Sequence, residues 1–270
     1  MRRPPFVVAA AAALSLCSAC GGGSSPSSPS STSPTPVPSS TACDVLGGRA
    51  GLAVSILNGV DCSTATSPVV LLNLRGGDGL STGSCSATVI APRAVLTAGH
   101  CLEEGVEGVK VFRGSGEQIE ATSFHRHPRY NGTIDSSFDV GIVLTGEDIQ
   151  RPAVPVLLGR DARVGEQAII AGWGQNEGGV SRVLRAGTTK VAAVSAGLIE
   201  TRYTQGGAVS GVCVGDSGGP VLVSEGGTWA VAGVTSAISS RLCASGSNYF
   251  ANLRHPDNRS FVLDLVPQAT

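Results

Sequence analysis

An all-β fold, built as barrels or a sandwich, is what the sequence predicts, on three observations. Glycine is abundant, with 37 among 270 residues, while aromatic residues make up only 4%. Short Val/Ile/Leu runs recur between turn signals. Beyond an N-terminal leader the chain keeps about 227 residues, enough for one large all-β unit or two small domains.

The runs place strands at Val69–Leu74, Cys85–Ile90, Ala94–Thr97, Val109–Phe112, Ile119–Phe124 and Val140–Leu144. A second group follows at Gln167–Gly172, Lys190–Val194, Val221–Val223, Trp229–Thr235 and Asn248–Asn252. A closing helix is expected through Val266, with Asp257 as its cap and Phe261, Val262, Leu265 and Val266 as its apolar face.

The leader carries a targeting pattern. Arg2 and Arg3 precede an apolar run from Phe6 to Leu16 that is too short to span a bilayer. Ser18-Ala19-Cys20 then resembles the end of a bacterial lipoprotein signal, which implies lipidation of Cys20 and membrane attachment. Cys17 stands where an aliphatic residue is usual, so an ordinary cut after Ala19 stays open. Residues 1–20 are read as the signal and residues 21–43, almost wholly Gly, Ser, Pro and Thr, as a flexible spacer lacking the apolar area to order itself. An exported protein, on the outer membrane or cell surface or secreted, is expected.

The formal net charge is −1 and no basic cluster occurs, which argues against nucleic acid as a partner. The histidines and cysteines show no zinc spacing, and the loop between Phe112 and Ile119 offers only Glu117 to a calcium ion. No metal or cofactor is expected.

Gly211-Val-Cys-Val-Gly-Asp-Ser-Gly-Gly-Pro220 carries the chemistry. Ser217 lies in a glycine-rich turn whose backbone N–H groups are free to point at a bound oxyanion. A serine hydroxyl is a weak nucleophile until a base takes its proton and a third group orients that base. Gly215-Asp-Ser-Gly-Gly219 also satisfies the G-x-S-x-G elbow of α/β-hydrolases, whose acid and histidine follow the serine. Only about fifty residues follow Ser217, with His255 the one histidine among them, too little chain for the rest of such a sheet. Upstream, Leu96-Thr-Ala-Gly-His100-Cys101 ends an apolar strand on a histidine, and Phe138-Asp139-Val-Gly-Ile-Val-Leu144 sets a carboxylate before a buried run.

In this order and spacing, TAGHC, FDVGIVL and GDSGGP resemble the chymotrypsin-like (trypsin-like) serine proteases, from about Ile56 to the C-terminus. The resemblance implies two six-stranded antiparallel β-barrels with a C-terminal α-helix, and a catalytic domain over residues 56–270. It implies Ser217 as nucleophile, His100 as general base and then acid, and Asp139 as the group fixing the imidazole. The amides of Gly215 and Ser217 would form the oxyanion hole, and Ser236 would add a hydrogen bond to Asp139. Asp135, His125 and His127 are better read as solvated loop residues.

Six cysteines beyond the leader allow fifteen pairings. The resemblance implies Cys85–Cys101 and Cys213–Cys243, leaving Cys43–Cys62, each worth roughly 3 kcal/mol in a chain-entropy account. It also makes residues 44–55 a propeptide, cut before Ile56 so that the new amine pairs with Asp216. Val45-Leu-Gly-Gly48 is a rival start but lies about eleven residues too far from Cys85. Cys43–Cys62 would keep the propeptide attached after the cut. The pocket maps to Gly211, Val212, Ser236, Ala237 and Ile238. No carboxylate stands at its base and Ile238 narrows its mouth, so small or medium uncharged residues are expected before the scissile bond. Protein or peptide substrates and a monomer follow. A silent binding protein on the same scaffold and an unrelated serine esterase are the competing readings.

Overall fold

The Val/Ile/Leu runs pair into two closed antiparallel barrels with a helix at the end of the chain. The computed structural model describes residues 39–47, 50–54, 56–116, 118–133, 137–179, 181–240 and 242–269. The expected signal with Cys17 and Cys20, the spacer up to residue 38, Ser55, Glu117 and Asp135 lie outside the described residues.

The described chain begins with helix α1 (Ser39–Val45), which includes residues expected to belong to the spacer. Apolar burial accounts for the difference. Ala42, Cys43 and Leu46 are at most 1% exposed and join the main core, and Cys43 is bonded to Cys62. Strands β1 (Ala50–Val54) and β2 (Val60–Cys62) follow as an antiparallel pair.

The first barrel comprises β3 (Val69–Arg75), β4 (Ser81–Ala91), β5 (Ala94–Thr97), β6 (Gly108–Phe112), β7 (Ile119–Arg126) and β8 (Gly141–Thr145). Its order is β3-β4-β5-β8-β7-β6, closed by the pairing of β6 with β3. The six strands fall where the sequence predicts them. Their centres are continuous apolar runs such as Val69–Leu72, buried on both faces by the barrel interior and the surrounding chain.

The second barrel comprises β9 (Gln167–Gly172), β10 (Arg185–Val194), β11 (Leu198–Thr204), β12 (Pro220–Glu225), β13 (Thr228–Ile238) and β14 (Ser245–Asn252). The ring runs β9-β10-β11-β14-β13-β12 and returns to β9, while β2 extends it beyond β10. Strand β11 has no counterpart in the sequence reading. Leu198-Ile-Glu-Thr-Arg-Tyr-Thr204 alternates in burial but carries too many polar residues to stand out as an apolar run.

Helix α2 (Pro256–Leu265) closes the chain. Its cap is His255 and not Asp257. Pro256 occupies the first turn, and His255 Nδ1 accepts the Asp257 N–H at 3.2 Å. Val262 and Val266 are buried, whereas Phe261 and Leu265 are only partly covered. Asn258, fully buried, donates to the carbonyls of Ser137 and Asn252 and so ties the helix to both halves of the fold.

Candidate active site

His100 sits on a short 3₁₀ turn, Gly99–Leu102, directly after β5. Cys85–Cys101 pins that turn to β4, leaving the imidazole partly exposed. Asp139 lies before β8 and is 2% exposed. Its Oδ1 accepts the backbone N–H of His100 at 2.8 Å, and its Oδ2 faces His100 Nδ1 at 2.8 Å. One carboxylate thus holds both the main chain and the ring of the histidine. Burial works to lower the His100 pKa, but the hydrogen bond and charge of Asp139, with a smaller contribution from Glu103, outweigh it and raise it above the ordinary value.

Ser236 Oγ donates to the same Oδ2 at 2.5 Å. The cause is a bulge: Thr235 pairs with Phe250 and Ala237 with Tyr249, so Ser236 is the extra residue of β13 and its side chain is re-aimed. The residue before Asp139, Phe138, belongs to an aromatic cluster. Phe138 stacks on His127 at 5.0 Å, Phe261 meets His127 edge-on at 4.9 Å, and Arg129 lies 4.0 Å over the Phe138 ring. His127 is therefore a buried packing residue, 3% exposed, and not the solvated loop residue expected from sequence. His125 is likewise not a solvated loop residue: it lies half-buried on β7, paired with Ile142, with Nε2 3.2 Å from Ser123 Oγ.

Ser217 occupies the turn between Cys213 and β12. Its carbonyl accepts the N–H of Ser86 at 2.8 Å, and the neighbouring Gly218 N–H reaches the Thr235 carbonyl at 2.9 Å. Ser86 is the residue that sequence reasoning missed here. Its hydroxyl donates to the Gly215 carbonyl at 3.0 Å and accepts the Trp173 N–H at 2.9 Å, so it clasps the turn onto the first barrel. A serine after a cysteine carries no local signal of that role.

Two positive-φ glycines, Gly215 (φ 94°) and Gly218 (φ 83°), shape the turn. The amides of Asp216, Gly218 and Gly219 donate within the protein, whereas those of Gly215 and Ser217 have no acceptor among the described residues. Both flank a cavity of about 430 Å³ lined by residues 213–215, Ser217 and residues 235–238. No hydrogen bond joins Ser217 Oγ to His100 among the described residues. Such contacts are often long in unliganded sites and tighten when substrate binds.

Behind the turn, Asp216 is 1% exposed and accepts the N–H groups of Gly174 at 2.8 Å and Cys213 at 2.9 Å. Burial pushes its carboxyl up to about 6, against the pull of these two donors and of Arg185. The space comes from glycine: a Cβ on Gly172 would lie 2.2 Å from Asp216 Oδ1, and one on Gly174 would lie 2.6 Å from its Cγ. Ile56 is 1% exposed within the second-barrel core, and Leu57 bridges to Gly211, whose N–H it accepts at 3.1 Å.

Of the expected pocket residues, Ser236, Ala237 and Ile238 line the open cavity, whereas Gly211 and Val212 lie buried behind it. Cys213–Cys243 forms one edge of that buried region. Among the described residues, Cys85, His100 and Cys101 are the one close group of metal-binding side chains, and both cysteines are committed to a disulfide.

The family model described as Trypsin matches residues 56–255. The chain belongs to the trypsin family. Similar proteins include Trypsin from Simulium vittatum, 28% identical over an alignment of 165 positions that covers 52% of this chain and 66% of that protein. Trypsin 5G1 from Aedes aegypti is 31% identical over 51% of this chain and 60% of its own length. Transmembrane protease serine 9 from Rattus norvegicus is 28% identical over 65% of this chain and 20% of its own. The chain thus spans between 20% and 66% of the length of these relatives. In the two barrels of this fold, His100 and Asp139 belong to the first and Ser217 to the second, with Ser236, which lines the same cavity as Ser217, bonded to Asp139.

Proposed function

We propose that the protein is a serine endopeptidase acting through Ser217, His100 and Asp139. The observation that carries this reading is the double hold of Asp139 on His100, backbone and ring, linked through Ser236 to a cavity that Ser217 also lines. With Nδ1 hydrogen-bonded to the carboxylate, Nε2 is left as the base. Ser217 Oγ attacks the peptide carbonyl carbon as its proton passes to Nε2. The carbonyl oxygen gains the negative charge and takes the unused N–H groups of Gly215 and Ser217. His100 then protonates the departing amine, leaving an acyl group on Ser217. Water, deprotonated by His100, releases that group by the reverse proton path.

The chain is made as a precursor, activated by cleavage between Ser55 and Ile56. Ile56 has φ of 43°, a left-handed conformation costly for a β-branched residue, and cleavage of the preceding bond frees it to relax. The new amine then neutralises Asp216, the buried carboxyl beneath the turn. The start of the family match at residue 56 supports this position. Cys43–Cys62 keeps the cut segment attached. The leader exports the protein and Cys20 anchors it to a membrane, with residues after it as a tether.

The test is turnover of peptide amides by the purified full chain cleaved before Ile56, its N-terminal segment still held by Cys43–Cys62. Hydrolysis that Ser217→Ala abolishes supports the function, and hydrolysis that survives this substitution refutes it.

A further inference from the structure

Gly211, the expected base of the pocket, is covered by the side chain of Tyr203 from β11. A Cβ placed on Gly211 would lie 2.4 Å from Cγ and 2.6 Å from Cβ of Tyr203, so the Tyr203 side chain fills the space over Gly211. Tyr203 is 4% exposed and packs with Leu57, Cys213 and Cys243, with Ile238 against the same cluster. Ile238 lines the open cavity on one side and, on the other, a void of only about 10 Å³ shared with Tyr203, Val212 and Asn248. That void is at the lower limit for a single water. The position is fixed by the sheet: Tyr203 pairs with Gly246 in the ladder between β11 and β14, where the partner brings no side chain.

We propose that Tyr203 is the specificity-determining floor of the pocket for the residue before the scissile bond. By filling the space over Gly211 it restricts that residue to small or medium uncharged side chains. The inference rests on the peptidase function proposed above and names the residue that sets its substrate class. With only about 10 Å³ left beside Tyr203, a substrate ring cannot reach the space over Gly211 without displacing it.

The experiment compares kcat/KM for peptide amides differing only in Ala, Leu or Phe before the cleaved bond, using the full chain cleaved before Ile56 with its N-terminal segment held by Cys43–Cys62. Wild type is expected to favour Ala. Tyr203→Ala is expected to raise the Phe-to-Ala ratio by at least about tenfold, and Tyr203→Leu, which keeps a smaller apolar filler, by less. Thermal unfolding reports whether each variant is folded, and the Leu variant carries the test if the Ala variant is not. Active variants with wild-type ratios, or a wild type that accepts Phe as readily as Ala, overturn the role of Tyr203 and leave the peptidase function standing. A folded wild type that turns over none of the series overturns both.

Discussion

Ser236 Oγ stands 2.5 Å from Asp139 Oδ2, the oxygen that also faces His100 Nδ1. A hydroxyl from the second barrel therefore steadies a carboxylate from the first, across the cleft in which the proposed chemistry takes place. Replacing it with Ser236→Ala removes one donor to a charged acceptor, an interaction worth about 1.5–3 kcal/mol. The expected result is a kcat lowered by about tenfold or somewhat more, with a smaller change in KM, measured on one peptide amide.

Asp139→Asn tests the charge itself. The amide preserves the shape of the contact but no longer favours the imidazole form with Nε2 free. A kcat loss on the order of 10⁴-fold is expected, with little change in the unfolding temperature.

The pH dependence follows from His100. The proposed base must be neutral, and its pKa is raised above the ordinary 6.5 by Asp139 despite burial. Activity is expected to fall in acid with a midpoint above 6.5, read from the pH profile of kcat/KM. The stability contribution of the same pair has the opposite sign. It is complete below the unfolded pKa and is lost as pH rises through the folded one.

Asp216 gives a second pH signature. Its carboxyl is pushed from 3.8 up to about 6 in the uncleaved chain, so the folded state holds a proton that the unfolded state releases. Stability of this form falls as pH rises through that window. The proposed cleavage before Ile56 would supply an amine and remove the penalty. In Ser217→Ala protein, the gap in unfolding temperature between cleaved and uncleaved forms is expected to widen from about pH 4 to 7, then narrow above about pH 8 as the amine loses its proton.

Gly174→Ala probes the ground beneath the turn. A Cβ at Gly174 would lie 2.6 Å from the Asp216 backbone N, too close to be absorbed without moving Asp216. Loss of oxyanion-hole geometry is expected to lower kcat by about 10²-fold or more, with a lower unfolding temperature.

The first barrel was legible because its strands are unbroken apolar runs such as Val69–Leu72, separated by turn residues. The order of His100, Asp139 and Ser217 was legible because each sits in a short motif of its own. What escaped was decided by long-range contact. Tyr203 and Ser86 act on residues eight or more than a hundred positions away through sheet pairing and inter-barrel packing. His127 was misread because its polar, proline-containing surroundings hide three aromatic neighbours that meet only in the fold: Phe138, Phe261 and, through Phe138, His255. Asp257 carries the better capping side chain, but Pro256 starts the helix one residue earlier and gives the cap to His255.

The most direct measurement is mass-spectrometric mapping of a fluorophosphonate, which phosphonylates an activated serine with loss of fluoride, on the full chain cleaved before Ile56. The account predicts a single adduct on the peptide containing Ser217, abolished by His100→Ala. A folded, cleaved protein that hydrolyses peptides while Ser217 stays unmodified, or one labelled equally well without His100, would contradict it.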